Sequence, residues 1–158
     1  NDYDYYKDIE KCLQENKHSS IKKLQYIDAL KTMEYKGTSA TYLLLFLETC
    51  ESTIVHTVSL KFQLEHIVPQ KRKRELTNQA LMCNVGNLTL LEGRNTPNVQ
   101  RGNSALGAKP YNEKKQHYTN SSSKITRQIA EKFDNFEEEQ IKERNNVIIH
   151  LINKHTNY

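Results

Sequence analysis

The sequence has few of the residues that brace a domain lacking a hydrophobic core. Its three cysteines, Cys12, Cys50 and Cys83, are far apart and odd in number, and no Cys-x-x-Cys occurs. That argues against a disulfide framework and against a cysteine-built structural zinc site, and points to a reducing cytoplasm. No apolar run reaches the roughly 20 residues needed to cross a bilayer, so no membrane partner is expected. The N-terminus is polar, unlike a signal peptide, and does not begin with methionine. The chain is therefore read as a piece of a longer protein. Internal repeats and low-complexity segments are also missing.

What is present is enough for one core. At 158 residues, with 36% hydrophobic and 27% charged residues, the chain reads as a single compact unit. The formal charge is +4, unevenly spread. Residues 61–118 hold ten Lys and Arg against four Glu, whereas residues 1–60 hold seven against nine and residues 119–158 hold six against six. The positive field is centred on the middle of the chain.

Periodicity divides the chain into a helical support over residues 1–53, a core with a basic loop over 54–118, and C-terminal helices over 119–158. Tyr5, Tyr6, Ile9, Cys12 and Leu13 predict a helix over residues 4–16. Ser19 and Ser20 can cap a second helix with the stripe Ile21, Leu24, Ile27, Leu30 and Met33, ended by Gly37. A third helix, Ser39 to Cys50, is apolar all round at its centre and reads as the most buried. From Ile54 to Val68 the period becomes two and the β-branched content rises, predicting a strand. Residues 75–83 read as a short helix carrying Leu76, Ala80, Leu81 and Met82, and Gly86 then turns the chain into a second strand, Leu88 to Leu91. Beyond it the composition shifts to Gly, Asn, Pro and Arg as far as Pro110, a long loop of the functional kind. Ser122 and Ser123 can cap a helix bearing Ile125, Ile129, Phe133 and Phe136. Ile141, Ile148 and Ile152 then form a last stripe behind the acidic Glu137–Glu139.

Chemistry concentrates in the middle. His66 can take a proton from water near pH 7, and Glu65 beside it is a hard oxygen donor of the kind Mg²⁺ or Mn²⁺ prefers. Neighbours on a regular strand point to opposite faces, so the two can serve one phosphate only where the strand twists or ends, and Pro69 predicts an early end. Asn87 and Asn95 flank the second strand and offer amides to a metal, an imidazole or a backbone loop. Lys71, Arg72, Lys73 and Arg74, with Arg94, Arg101, Lys114 and Lys115, supply a cationic surround for a nucleic-acid backbone.

The run Leu64-Glu-His-Ile-Val-Pro-Gln70, the run Val85-Gly-Asn-Leu-Thr-Leu-Leu91 followed by Asn95, the stretch Tyr111-Asn-Glu-Lys-Lys115 with Tyr118 and Ser121, and Ile141-Lys-Glu-Arg144 together resemble the HNH nucleases of the His-Me finger, or ββα-metal, class. Within that class they resemble the C-terminal domain of GmrSD-type modification-dependent restriction enzymes, over roughly residues 40–150. The resemblance implies His66 as general base, Glu65 as metal ligand, Asn87 as the residue that holds the hairpin and the histidine, Asn95 near or on the metal, and Lys114 on a phosphate. The loop from Asn95 to Lys114 is longer than the usual pattern, which makes Asn103 a rival third motif residue and metal ligand. The cysteine pairs that brace some HNH sites with zinc are missing, so the helices must brace this one.

The expectation is an α+β domain, mainly helical by residue count, with a ββα-metal core flanked by helices. It would act as a Mg²⁺- or Mn²⁺-dependent DNA endonuclease and serve as the cleaving domain of a prokaryotic restriction or anti-phage protein. DNA and a further N-terminal domain or partner subunit are the implied partners, and double-strand cleavage would call for a homodimer or two successive nicks. The rival reading is a DNA-binding sensor or regulatory module on an inactive HNH fold.

Overall fold

The computed structural model describes residues 20–35, 37–52, 62–92 and 106–156. The helix expected over 4–16, the first part of the strand expected from Ile54, and the loop holding Arg94, Asn95, Arg101 and Asn103 lie outside them. In chain order the elements are α1 (Ser20–Thr32), α2 (Thr38–Glu51), β1 (Phe62–His66), three tight 3₁₀ turns, β2 (Leu88–Glu92), α3 (Tyr111–Thr119), α4 (Lys124–Lys132) and α5 (Glu138–Thr156). The described chain is mainly helical, with one two-stranded antiparallel sheet, an α+β architecture.

α1 stops before the expected Gly37. Thr32 turns its hydroxyl back onto the Asp28 carbonyl (2.9 Å), and the Tyr35 amide leaves the helix to donate to the Cys83 carbonyl (2.8 Å). Leu30 is buried, but Met33, expected on the same stripe, lies past the helix end and is 47% exposed. Gly37 instead opens α2, at φ 53°, a backbone conformation that glycine adopts without steric cost. Ala40, Leu44 and Leu47 then form the buried stripe of α2, with Leu43, Leu45 and Phe46 packed partly buried around it.

β1 pairs with β2 so that Glu65 lies opposite Thr89 and His66 opposite Leu88, the last pair of the ladder. The strand ends there, two residues short of the expected Val68. The single helix expected over 75–83 is replaced by 3₁₀ turns at Gln70–Glu75, Gln79–Cys83 and Val85–Asn87. Leu76, Leu81 and Met82 are buried as the pattern required, while Ala80 is exposed. The Asn78 and Asn84 side chains cap the second and third turns, satisfying backbone N–H groups that would otherwise extend one helix.

α3 begins where the expected loop ends, at Tyr111, in a stretch for which periodicity predicted no element. Tyr111, Lys114 and Tyr118 are its buried face, at spacings of three and four. α4 begins at the Ser123 cap as expected, but ends at Lys132, and the buried Phe133 and Phe136 lie beyond it. The Tyr111 hydroxyl donates to the Ile129 (3.1 Å) and Phe133 (2.9 Å) carbonyls and holds that exit. Two buried carboxylates seat the start of α4. Glu48 of α2 accepts from the Ser123 hydroxyl and from the Lys124 and Ile125 amides, and Glu92 of β2 accepts from the Ser121 hydroxyl and from the Ser122 hydroxyl and amide. Negative charge at a helix N-terminus is favourable. Thr126, donating to the Leu90 carbonyl (2.5 Å), pins α4 to β2.

α5 lays Ile141, Arg144, Asn145, Ile148 and Ile152 along one buried face. It presses on Gly86 so closely that an added Cβ would collide with the Ile141 carbonyl and reach 3.0 Å from the Asn145 side chain. Only glycine fits that approach. Among the described residues no helix is long and apolar enough to cross a membrane.

Candidate active site

His66 closes β1, half-buried, with its Nε2 3.3 Å from the Gln70 Nε2. An amide N–H can only donate, so this contact makes the ring nitrogen an acceptor. Burial, with the Lys114 ammonium nearby, brings the imidazole down to about 4. At neutral pH it is uncharged and able to accept a proton.

The backbone that follows His66 is held from two sides. Asn87, fully buried, takes the Val68 amide on its Oδ1 (2.8 Å) and donates its Nδ2 to the Val68 (3.2 Å) and Met82 (3.0 Å) carbonyls, while its own carbonyl receives the Ile67 amide (2.9 Å). From the other side, the Lys114 ammonium donates to the His66 (2.5 Å) and Ile67 (3.2 Å) carbonyls. The structure thus brings His66 and Asn87 together through two shared peptide units.

Glu65 faces the interior at 1% exposure, away from the solvent side of the strand. Its carboxylate pairs with Lys114 at 2.5 Å, with the Tyr118 hydroxyl at 3.5 Å from the same oxygen. Burial pushes Glu65 up and Lys114 down, and their mutual attraction opposes both shifts. Glu65 was expected as an open metal ligand. Among the described residues no group of three His, Cys, Asp or Glu side chains could hold an ion, and Glu65 already has a fixed counter-cation. The described donors do not by themselves fit a divalent metal. Lys114 differs from its expected place too: with 0% exposure it has no route to a phosphate.

The basic turn is mixed. Lys71, Lys73 and Arg74 are exposed, five to eight residues beyond His66 and directly after Gln70, whose amide meets the His66 ring. Arg72 is tied down, with Nε on Glu75 (2.6 Å) and both terminal nitrogens on Glu137 (3.0 Å each). Lys115 pairs with Asp134 at 2.8 Å on the surface. Arg94, Arg101, Asn95 and Asn103 lie outside the described residues.

Arg144 is a structural cation that the sequence reading left without a role. Its Nη1 donates to the Val85 (2.9 Å), Gly86 (2.9 Å) and Leu88 (2.7 Å) carbonyls and so fixes the turn that carries Asn87. Burial lowers the guanidinium to about 9, which still leaves it charged at neutral pH. Its phase with Ile141 and Ile148, three and four residues away, was the available signal.

No curated protein and no solved structure matches the chain. The family described as GmrSD restriction endonucleases, C-terminal domain, matches residues 5–151, nearly the whole chain. The chain belongs to the GmrSD restriction endonuclease C-terminal domain family, and with it to nuclease domains of the restriction-endonuclease type.

Proposed function

We propose that the chain is the DNA-cleaving domain of a larger prokaryotic restriction or anti-phage protein, an HNH endonuclease whose ββα unit is β1, β2 and α3. DNA is the substrate, an N-terminal domain or partner subunit completes the protein, and the cytoplasm is its place of action. The observation that carries this reading is the placement of His66: a neutral imidazole at a strand end, its next two peptide units fixed, beside a turn that exposes Lys71, Lys73 and Arg74. A water in line with the scissile bond gives its proton to the imidazole as its oxygen attacks phosphorus, the bond to the leaving oxygen breaks, and that oxygen takes up a proton. The exposed cations hold the flanking phosphates. A divalent ion, Mg²⁺ or Mn²⁺, supplies charge neutralisation when bound. Asn95 and Asn103 remain the proposed ligands for it, since Glu65 does not fit while paired to Lys114.

That pairing also favours a second reading, a DNA-binding sensor on an inactive HNH fold. Nicking of supercoiled plasmid by the purified domain with Mg²⁺ or Mn²⁺ separates the two. Metal-stimulated nicking that falls by about 10²- to 10⁴-fold in His66→Ala is expected for a lost general base. A domain that shifts DNA on a gel but never nicks it under any divalent metal is the binding module. Nicking that survives in His66→Ala removes His66 as the base. Asn95→Ala and Asn103→Ala in the same assay identify the metal-side amide by loss of metal stimulation.

A further inference from the structure

Two consecutive peptide units follow His66, and each is gripped at both of its polar groups. In the unit from His66 to Ile67, Lys114 holds the carbonyl and the Asn87 carbonyl holds the N–H; in the unit from Ile67 to Val68, Lys114 again holds the carbonyl and the Asn87 side chain holds the N–H. An ammonium has three N–H donors, and three acceptors meet this one: the His66 carbonyl, the Ile67 carbonyl and Glu65 Oε1. Nothing is left over for a phosphate, and at 0% exposure none could reach it. A buried ammonium stays charged only beside an anion, which gives the equally sealed Glu65 carboxylate its role.

We propose that Lys114 is a positioning residue of the nuclease site and Glu65 its anchor: the pair, sealed between α3 and β1, sets the strand end that carries His66 and contacts neither phosphate nor metal. This rests on the nuclease reading above, and it assigns Glu65 and Lys114 to one mechanical task. Asn87 grips the N–H side of the segment and Lys114 the carbonyl side, so the imidazole is aimed by α3 as well as by the turn before β2.

The test is made on the intact domain with Lys114→Met and, because that variant strands a buried carboxylate, with the double variant Glu65→Leu/Lys114→Met, which buries no charge. A positioning role lowers kcat for nicking by about 10- to 100-fold, as expected for a misaimed catalytic group, and leaves the KM for DNA and its salt dependence unchanged. Amide hydrogen exchange at Ile67 and Val68 accelerates by about tenfold or more. Mn²⁺ binding by the double variant, read by electron paramagnetic resonance, matches that of the wild type. A rise in KM with a shallower salt dependence at constant kcat makes Lys114 a phosphate contact and overturns the proposal. Loss of Mn²⁺ binding in the double variant makes Glu65 a metal ligand and overturns it equally. If the wild type fails to nick, the nuclease reading falls, while exchange at Ile67 and Val68 still decides whether Lys114 holds this segment.

Discussion

Replacing Asn87 by alanine should destabilise the domain by about 2–6 kcal/mol. The substitution leaves the Val68 N–H buried without its 2.8 Å acceptor, and an orphaned buried donor costs about 1–3 kcal/mol. The Val68 and Met82 carbonyls each lose a donor at 3.2 and 3.0 Å, at about 0.5–1.5 kcal/mol apiece. Such a loss is a large part of the 5–15 kcal/mol that holds a typical domain, so the midpoint of urea unfolding followed by circular dichroism should move clearly at constant m. Asn87→Asp sharpens the test. One carboxyl oxygen can still accept from Val68, but the other faces two carbonyl oxygens, which repel an anion and accept from a protonated carboxyl. Its folded pKa is thus raised above the ordinary 3.9. A carboxyl with a raised folded pKa is least harmful near pH 4, and its cost grows as pH rises through the folded pKa. This variant should therefore lie closer to the wild type at pH 4.5 than at pH 8. A loss below about 1 kcal/mol in Asn87→Ala, or an Asn87→Asp deficit that does not vary with pH, refutes the hydrogen-bond geometry around Asn87.

Two further outcomes follow from the charges. Removing Lys71, Lys73 and Arg74 together should weaken DNA binding and flatten the dependence of log K on log salt by about 0.9 for each phosphate no longer neutralised; Arg72→Ala, already committed to Glu75 and Glu137, should leave that slope alone and cost at most about 1 kcal/mol of stability. His66, held near 4 when folded against about 6.5 unfolded, contributes stability in full above pH 6.5 and loses it as pH falls from 6.5 towards 4, to a total of about 2–3 kcal/mol. Glu65, raised by burial, works in the opposite sense as it protonates, so the quantity to measure is the stability of the wild type relative to His66→Gln across pH 4–7. A difference that stays flat there removes the buried neutral imidazole.

The described parts of the strands, the start of α4 and the apolar stripes that begin at Ile125 and Ile141 were legible because each rests on local rules: alternation, a serine cap, spacing by three and four. The ends of elements were not, because distant atoms set them. Residues 75–83 carry a helical pattern of apolar residues, yet the Asn78 and Asn84 side chains take backbone N–H groups and break it into turns. Phe133 continues the α4 stripe in sequence, but its carbonyl is held by Tyr111, 22 residues earlier in the chain. Asn87, as the residue that holds the hairpin and the histidine, came from the family resemblance, because a glycine–asparagine step by itself reads as a turn. Its bonds to Val68 and Met82 could not be read from the sequence, since both partners come from elements whose placement depends on the sheet.

Lys114 and Lys115 show why the remainder of the site was hidden. They are adjacent and identical, in a polar stretch with no predicted element, yet Lys115 is on the surface with Asp134 while Lys114 is sealed against Glu65. About 100° of helical rotation separates them. Tyr111, three residues before Lys114, and Tyr118, four after it, share its face, so two aromatic rings mark a buried stripe whose middle member is a charge. A lysine there is tolerable only because β1 and the residue that follows it deliver a carboxylate and two carbonyls to one point. Those three acceptors lie 47 to 49 residues upstream in the chain, so residue type alone could place this lysine on the DNA, and only the packing of α3 over the strand end turns it inward beneath His66.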